Sequence, residues 1–195
     1  MLKQVTSILF AMFLLNPAGA QEVDWSFGTD PSLWLSGWRN AEVAAQFHPE
    51  MSVVAGAGFM TAEAGIGSVL SRPRPQGFDR ARMFNVGLRF HPNSQDGRKV
   101  QALVGLEYDV EAYDVQVTNV WVDDAPPVSG MAQYMRSDLR MLVGARTQIL
   151  PSITLAAHVG LGYAFESSND WIGADSRDGM PSAPRMFGVE LMWWP

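Results

Sequence analysis

The chain has 195 residues, a formal charge of −6, 47% hydrophobic residues and no cysteine. An acidic balance without a basic run excludes nucleic acid as a partner, because nothing is available to neutralise phosphates. The lack of cysteine excludes a disulfide-stapled fold, so an exported chain of this composition must be held by backbone pairing and packing.

The chain opens with a targeting segment. Lys3 is the only charge among the first twenty residues, an apolar run follows from Ile8 to Leu15, and Ala18-Gly19-Ala20 has the small side chains of a cleavage site. The run is too short to cross a bilayer as a helix. Residues 1–20 are therefore expected to be a signal peptide and 21–195 the mature domain, exported across a bacterial inner membrane. Loss of Lys3 takes the charge from −6 to −7. After the signal, no apolar stretch approaches the roughly 18–20 residues a membrane helix needs.

Eight strands are predicted beyond it, at residues 23–28, 33–47, 51–60, 82–91, 99–111, 136–149, 153–166 and 185–194, with Asp30-Pro31 turning the first into the second. Three reversals are tight and built on proline: Gln46-Phe47-His48-Pro49-Glu50, Arg89-Phe90-His91-Pro92-Asn93 (running on to Arg98) and Ile149-Leu150-Pro151-Ser152. Three long stretches rich in Gly, Pro, Asp and Ser lie between them, at about Thr61–Arg80, Tyr113–Tyr134 and Ser167–Pro184. An even strand count puts both termini at the short-turn end.

The strands alternate with period two. From Val100 to Ala112, Val100, Ala102, Val104, Leu106, Tyr108, Val110 and Ala112 share one face, and Gln101, Glu107, Asp109 and Glu111 the other. From Ile153, the residues Ile153, Leu155, Ala157, Val159, Leu161, Tyr163 and Phe165 oppose a face carrying Thr154, His158 and Glu166. Such a sheet is either half-buried in a soluble protein or turned with its apolar face to lipid and its polar face into a closed lumen. A weak repeat recurs after the turns, in Val54-Ala55-Gly56-Ala57-Gly58-Phe59, Leu103-Val104-Gly105-Leu106-Glu107-Tyr108 and His158-Val159-Gly160-Leu161-Gly162-Tyr163. Inward glycines suit a narrow lumen in which long neighbours need room. On the barrel reading, Phe59, Tyr108 and Tyr163 form an outer aromatic girdle and Phe47, Phe90 and Trp193 a periplasmic one.

In this register Arg89, Arg136, Arg140, Arg146, Glu42, Glu107, Asp109, Glu111, Asp138, Glu190 and His158 all point inward. Buried charges must pair. Arg89, Arg140 and Arg146 are expected to pair with Glu107, Asp109 and Glu190, and His158 to join the same network. An eight-stranded barrel is only wide enough for its own side chains, which favours a structural plug over a polar pore or proton path.

The signal peptide, the short turns and the last strand, Phe187-Gly188-Val189-Glu190-Leu191-Met192-Trp193, together resemble the small eight-stranded outer-membrane proteins, the OmpA-type and OmpX-type barrels. The resemblance implies an all-β fold, an eight-stranded antiparallel up-and-down transmembrane β-barrel with short periplasmic turns and long extracellular loops. It also implies a Gram-negative outer-membrane location and a terminal strand read by the barrel-assembly machinery. Porin-like OmpW barrels, which move small solutes, are an alternative, with Val115–Val128 lining an entrance. Lipid A-modifying relatives are a further one. PagL-like deacylases use a strand-borne His-x-Ser, but here Gly160 stands two residues after His158; PagP-like transferases need a histidine at the extracellular rim, whereas His48 and His91 lie on the opposite turns. The expectation is a structural or adhesive monomer with no catalytic residues, no cofactor and no metal. Arg72, Arg74, Arg80 and Arg82 form a basic cluster suited to lipopolysaccharide phosphates. Asp170, Asp175 and Asp178 crowd one loop without calcium-loop spacing. Val115–Val122 alternates again and is a candidate protruding hairpin. A lipocalin-like soluble barrel would need apolar residues inside, the opposite of this pattern.

Overall fold

The computed structural model describes residues 23–61, 78–92, 99–120, 128–167 and 187–195. Its strands are β1 (Asp24–Thr29), β2 (Arg39–His48), β3 (Met51–Thr61), β4 (Phe78–Phe90), β5 (Val100–Val120), β6 (Val128–Leu150), β7 (Ile153–Ser167) and β8 (Phe187–Trp193). Each pairs antiparallel with its successor, and β8 returns to β1, so the sheet is a closed barrel without a free edge around its body. Closure rests on three rungs, Phe27↔Trp193, Gly28↔Met192 and Thr29↔Leu191. The chain is therefore an all-β, closed, eight-stranded antiparallel barrel.

The alternation read from sequence is the alternation of burial. Along β4, Ala81, Met83, Asn85, Gly87 and Arg89 are buried while Arg82, Phe84, Leu88 and Phe90 are exposed. Val159, Leu161 and Tyr163 of β7 are 57%, 72% and 68% exposed, whereas His158, just before them, is buried. The large apolar side chains point out and the charged ones point in.

Two proline turns use the same device. Gln46 Nε2 donates to the Pro49 carbonyl at 2.9 Å, and Gln148 Nε2 donates to the Pro151 carbonyl. A glutamine three residues before the proline thus ties down an acceptor that the turn leaves without a strand partner.

Residues 33–47 do not form one strand as expected. Pro31–Leu35 is instead a short helix, α1. Asp30 caps it by accepting from the Ser32 N–H at 2.8 Å, and Pro31 fits the first turn, where its missing N–H is no loss. Gly37, at φ 89°, closes it with its N–H on the Trp34 carbonyl, a left-handed conformation that favours glycine. The turn swings Leu33 and Trp38 into the barrel mouth, where they pack with Met60, Ala81, Met83 and Tyr113. Trp38 meets Tyr113 edge-on, with ring centroids 6.2 Å apart. An apolar plug therefore closes the end opposite the proline turns.

The expected loop at Tyr113–Tyr134 is shorter than anticipated, because β5 and β6 continue past their neighbours and stay paired to Val120↔Val128. The alternating segment at Val115 thus begins as a strand extension. The targeting segment, the Asp170–Asp178 cluster, Arg72 and Arg74 lie outside the described residues.

Candidate functional site

The barrel interior is where the described residues concentrate buried charge. Arg89 comes from β4, Glu107 and Asp109 from β5, Arg140 from β6, His158 from β7 and Glu190 from β8. Arg89 Nη2 donates to Glu107 Oε2 and, at 2.8 Å, to Glu190 Oε1. Arg140 Nη2 donates to Glu107 Oε1 and, at 2.6 Å, to Asp109 Oδ2. Glu107 shares one oxygen with each arginine, so the five groups form a continuous chain from Glu190 to Asp109. His158 Nδ1 lies 3.6 Å from Glu190 Oε1 at one end. Arg136 Nε pairs with Asp138 Oδ1 at 3.2 Å, and Tyr113 Oη donates to Glu111 Oε2 at 2.8 Å, carrying the network up to the apolar plug. Glu42 and Asn85 are buried on the same inner face.

Register explains which groups meet. Glu107 and Arg140 are direct cross-strand partners, the closest placement two side chains on one face can have. The bulky residues sit opposite glycine: Arg89↔Gly105, Arg140↔Gly162, His158↔Gly144 and Glu42↔Gly56. A Cβ on Gly105 would stand 3.1 Å from Arg89 Cδ, one on Gly162 2.9 Å from Arg140 Cβ, and one on Gly144 2.7 Å from His158 Cβ. The recurrent inward glycines are the space in which the charged side chains lie.

Arg146 departs from the expected pairing. It faces the same lumen, yet its Nε donates to Gln101 Oε1 at 2.6 Å, and it has no carboxylate partner among the described residues. The reason is its level. Arg146 sits opposite Gln101 and Ala156 near the proline-turn end, below the Glu107 level. Between it and the network lie two small apolar clusters, Ala44, Val54 and Met192, and Leu103, Leu142 and Ala156.

His91 is not an exposed turn residue. It is buried beneath the last rung of β4, with Nε2 3.3 Å from Ser52 Oγ. Burial, reinforced by the Arg146 and Arg89 charges, pushes its pKa down to about 3. Nothing in the spacing of His91-Pro92 signalled this, since an inward residue at a turn looks like any other turn residue in sequence.

On the outer surface the first charges appear together. Arg80 Nε and Arg82 Nη2 both reach Asp114, at 2.5 and 3.1 Å, with the two arginines mostly exposed. Arg39 lies on the same rung as Arg82 but two strands away, with Phe59 between them. Arg39 was not singled out from the sequence; only the register brings it to the level of Arg82.

Chemically, the interior presents arginines and carboxylates paired with one another, with His158 beside a carboxylate and Gly160 two residues along. This is an arrangement for holding charge in a confined space. No family model matches this chain, and no curated protein matches its sequence.

Proposed function

We propose that this protein is a transmembrane barrel of the bacterial outer membrane, of the small OmpA or OmpX type, with a structural or adhesive role and no catalytic activity. The observation that carries the reading is its inside-out polarity. Between the two aromatic rows, no outward residue of the described strands is charged, while Arg89, Glu107, Asp109, Asp138 and Arg140 are all at most 2% exposed. Water does not favour that arrangement; acyl chains do. Outward along β7 run Ile153, Leu155, Ala157, Val159, Leu161 and Tyr163. Ten residue steps of about 3.4 Å, tilted by about 40°, rise about 26 Å, close to the height of the apolar band of such barrels.

On this reading the proline turns face the periplasm and the longer connections face outward. Arg80 and Arg82, with Arg39 on the same rung two strands away, stand directly above the apolar belt, where lipopolysaccharide phosphates would meet them through charge-assisted bonds. The terminal aromatic strand serves recognition by the barrel-assembly machinery, and the barrel works as a monomer. The ion-pair chain under the Leu33–Trp38 plug supports a sealed lumen over an OmpW-like conduit, and the residues around His158 favour a packing role over a lipid A-modifying one.

Fractionation tests the reading. The mature protein is expected in the outer membrane, extracted only by detergent and migrating faster on gels before boiling than after. Recovery as a soluble periplasmic protein without detergent would overturn it.

A further inference from the structure

We infer that the proline-turn end of the barrel holds a binding site for a small anion carrying a carboxylate or phosphate group, centred on Arg146. The described residues enclose there an open cavity of about 860 Å³, lined by Lys99, Gln101, Arg146, Thr154, Trp194 and Asp24 among others. Its polar wall is contiguous. Lys99 and Gln101 lie at the start of β5, Arg146 opposite Gln101 on β6, and Thr154 on β7, which pairs with β6. These side chains therefore converge from three adjacent strands.

The donors on that wall are uncommitted where it matters. Arg146 spends Nε on Gln101, which orients the guanidinium and leaves its two terminal nitrogens without a protein acceptor among the described residues. Thr154 Oγ1 accepts from the Trp194 indole at 2.9 Å, so its own proton is free to point into the cavity. Lys99 is exposed at the rim. A planar fork, an ammonium group and a hydroxyl on one wall form a donor set suited to an anionic oxygen pair. Asp24 supplies the one carboxylate of the lining, so the lining keeps a net positive charge of one (Lys99 and Arg146 against Asp24).

The floor adds to this. Arg146, Thr154 and Trp194 also line a small recess leading inward to Ser26, His91, Arg89 and Glu190, the Glu190 carboxylate being paired with Arg89. Among these lining residues, Ser26 Oγ, His91 Nδ1 and Arg89 Nε and Nη1 are buried without a hydrogen-bond partner. Buried polar atoms are normally satisfied, so a deep end carrying these groups is a surface for polar contact. Arg89 and Arg146 both oppose protonation of His91, which places two guanidiniums within electrostatic reach of the same point. All the other inward arginines have carboxylates; Arg146 alone faces open space.

The site is defined by the strand ends and does not depend on where the barrel resides. The test uses the mature protein from whichever fraction contains it, titrated calorimetrically with inorganic phosphate, with succinate, and with the uncharged succinamide. Saturable binding of at least one anion and none of the amide is expected, and the better of the two anions names the ligand class. Arg146→Gln is expected to weaken binding by about tenfold while the fold, read from circular dichroism, is kept. If Arg146→Gln does not fold, Lys99→Gln takes its place, since Lys99 is exposed and its loss is expected to weaken the same anion several-fold. No saturable anion binding, equal binding of the amide, or an unchanged affinity in the folded variant would overturn the inference.

Discussion

Arg89 is a residue whose removal the architecture tolerates poorly. Its Nη2 is the only link between Glu190 and Glu107 in the buried chain. In Arg89→Met, Glu107 keeps Arg140, but Glu190 is left with His158 at 3.6 Å as its only remaining ionic neighbour in the network. One buried carboxylate, not two, loses its cation. Breaking a buried pair from one side costs about 3–5 kcal/mol, because the charge left behind can neither be solvated nor re-paired. Taking Glu190 to Gln as well removes that charge, so Arg89→Met with Glu190→Gln is expected to recover more than half of the loss. Non-additivity of this kind is what residues in direct contact show. The assay is urea unfolding of the refolded barrel followed by tryptophan fluorescence, with stabilities compared at an unchanged slope. A single variant within about 1 kcal/mol of the parent, or a double variant less stable than the single one, would refute the claim that the ion-pair chain is stabilising as a connected unit.

Two further outcomes follow from the two ends of the barrel. Trp38→Ala deletes the largest side chain of the apolar plug and the edge contact with Tyr113, and is expected to cost about 3–5 kcal/mol in the same unfolding assay; a loss under 1 kcal/mol would mean that the plug is peripheral. His91 is held neutral when folded, with its pKa pushed to about 3, while the unfolded chain binds its proton near the ordinary histidine value. The unfolded state therefore takes up more protons between those limits. Stability from this site is present above about pH 6.5 and is lost as the pH falls toward 3. His91→Asn is expected to flatten that part of the stability profile relative to the parent; identical acid limbs would show that His91 is accessible to protonation in the fold.

Much of this molecule is legible one strand at a time. Period-two alternation assigned Val104 and Leu106 to one face and Glu107 and Asp109 to the other, and the prolines at 49 and 151 marked two reversals. Both readings need only local information, since a strand's side chains change face at every residue whatever the partner strand is. The inward set of Arg89, Arg140, Glu107 and Glu190 follows from the same rule, as does the need of those charges for company. The repeated inward glycines also announced a crowded interior.

What the tertiary structure alone decided is who meets whom. Glu107 takes both Arg89 and Arg140 because the registers of β4, β5 and β6 bring them to one level, whereas Arg146, equally inward and equally basic, falls below that level and faces Gln101 and an open cavity. Position along the barrel axis depends on strand tilt and on the stagger accumulated around the closed sheet, quantities that no single strand encodes. The same holds for Leu33 and Trp38. Their apolar character is visible in the sequence, but that they leave the strand, turn through α1 and seal the mouth depends on a space bounded by β3, β4 and β5. The amino-acid order thus determined the faces, and the closed sheet determined the contacts, because alternation is a property of one chain segment and register a property of eight.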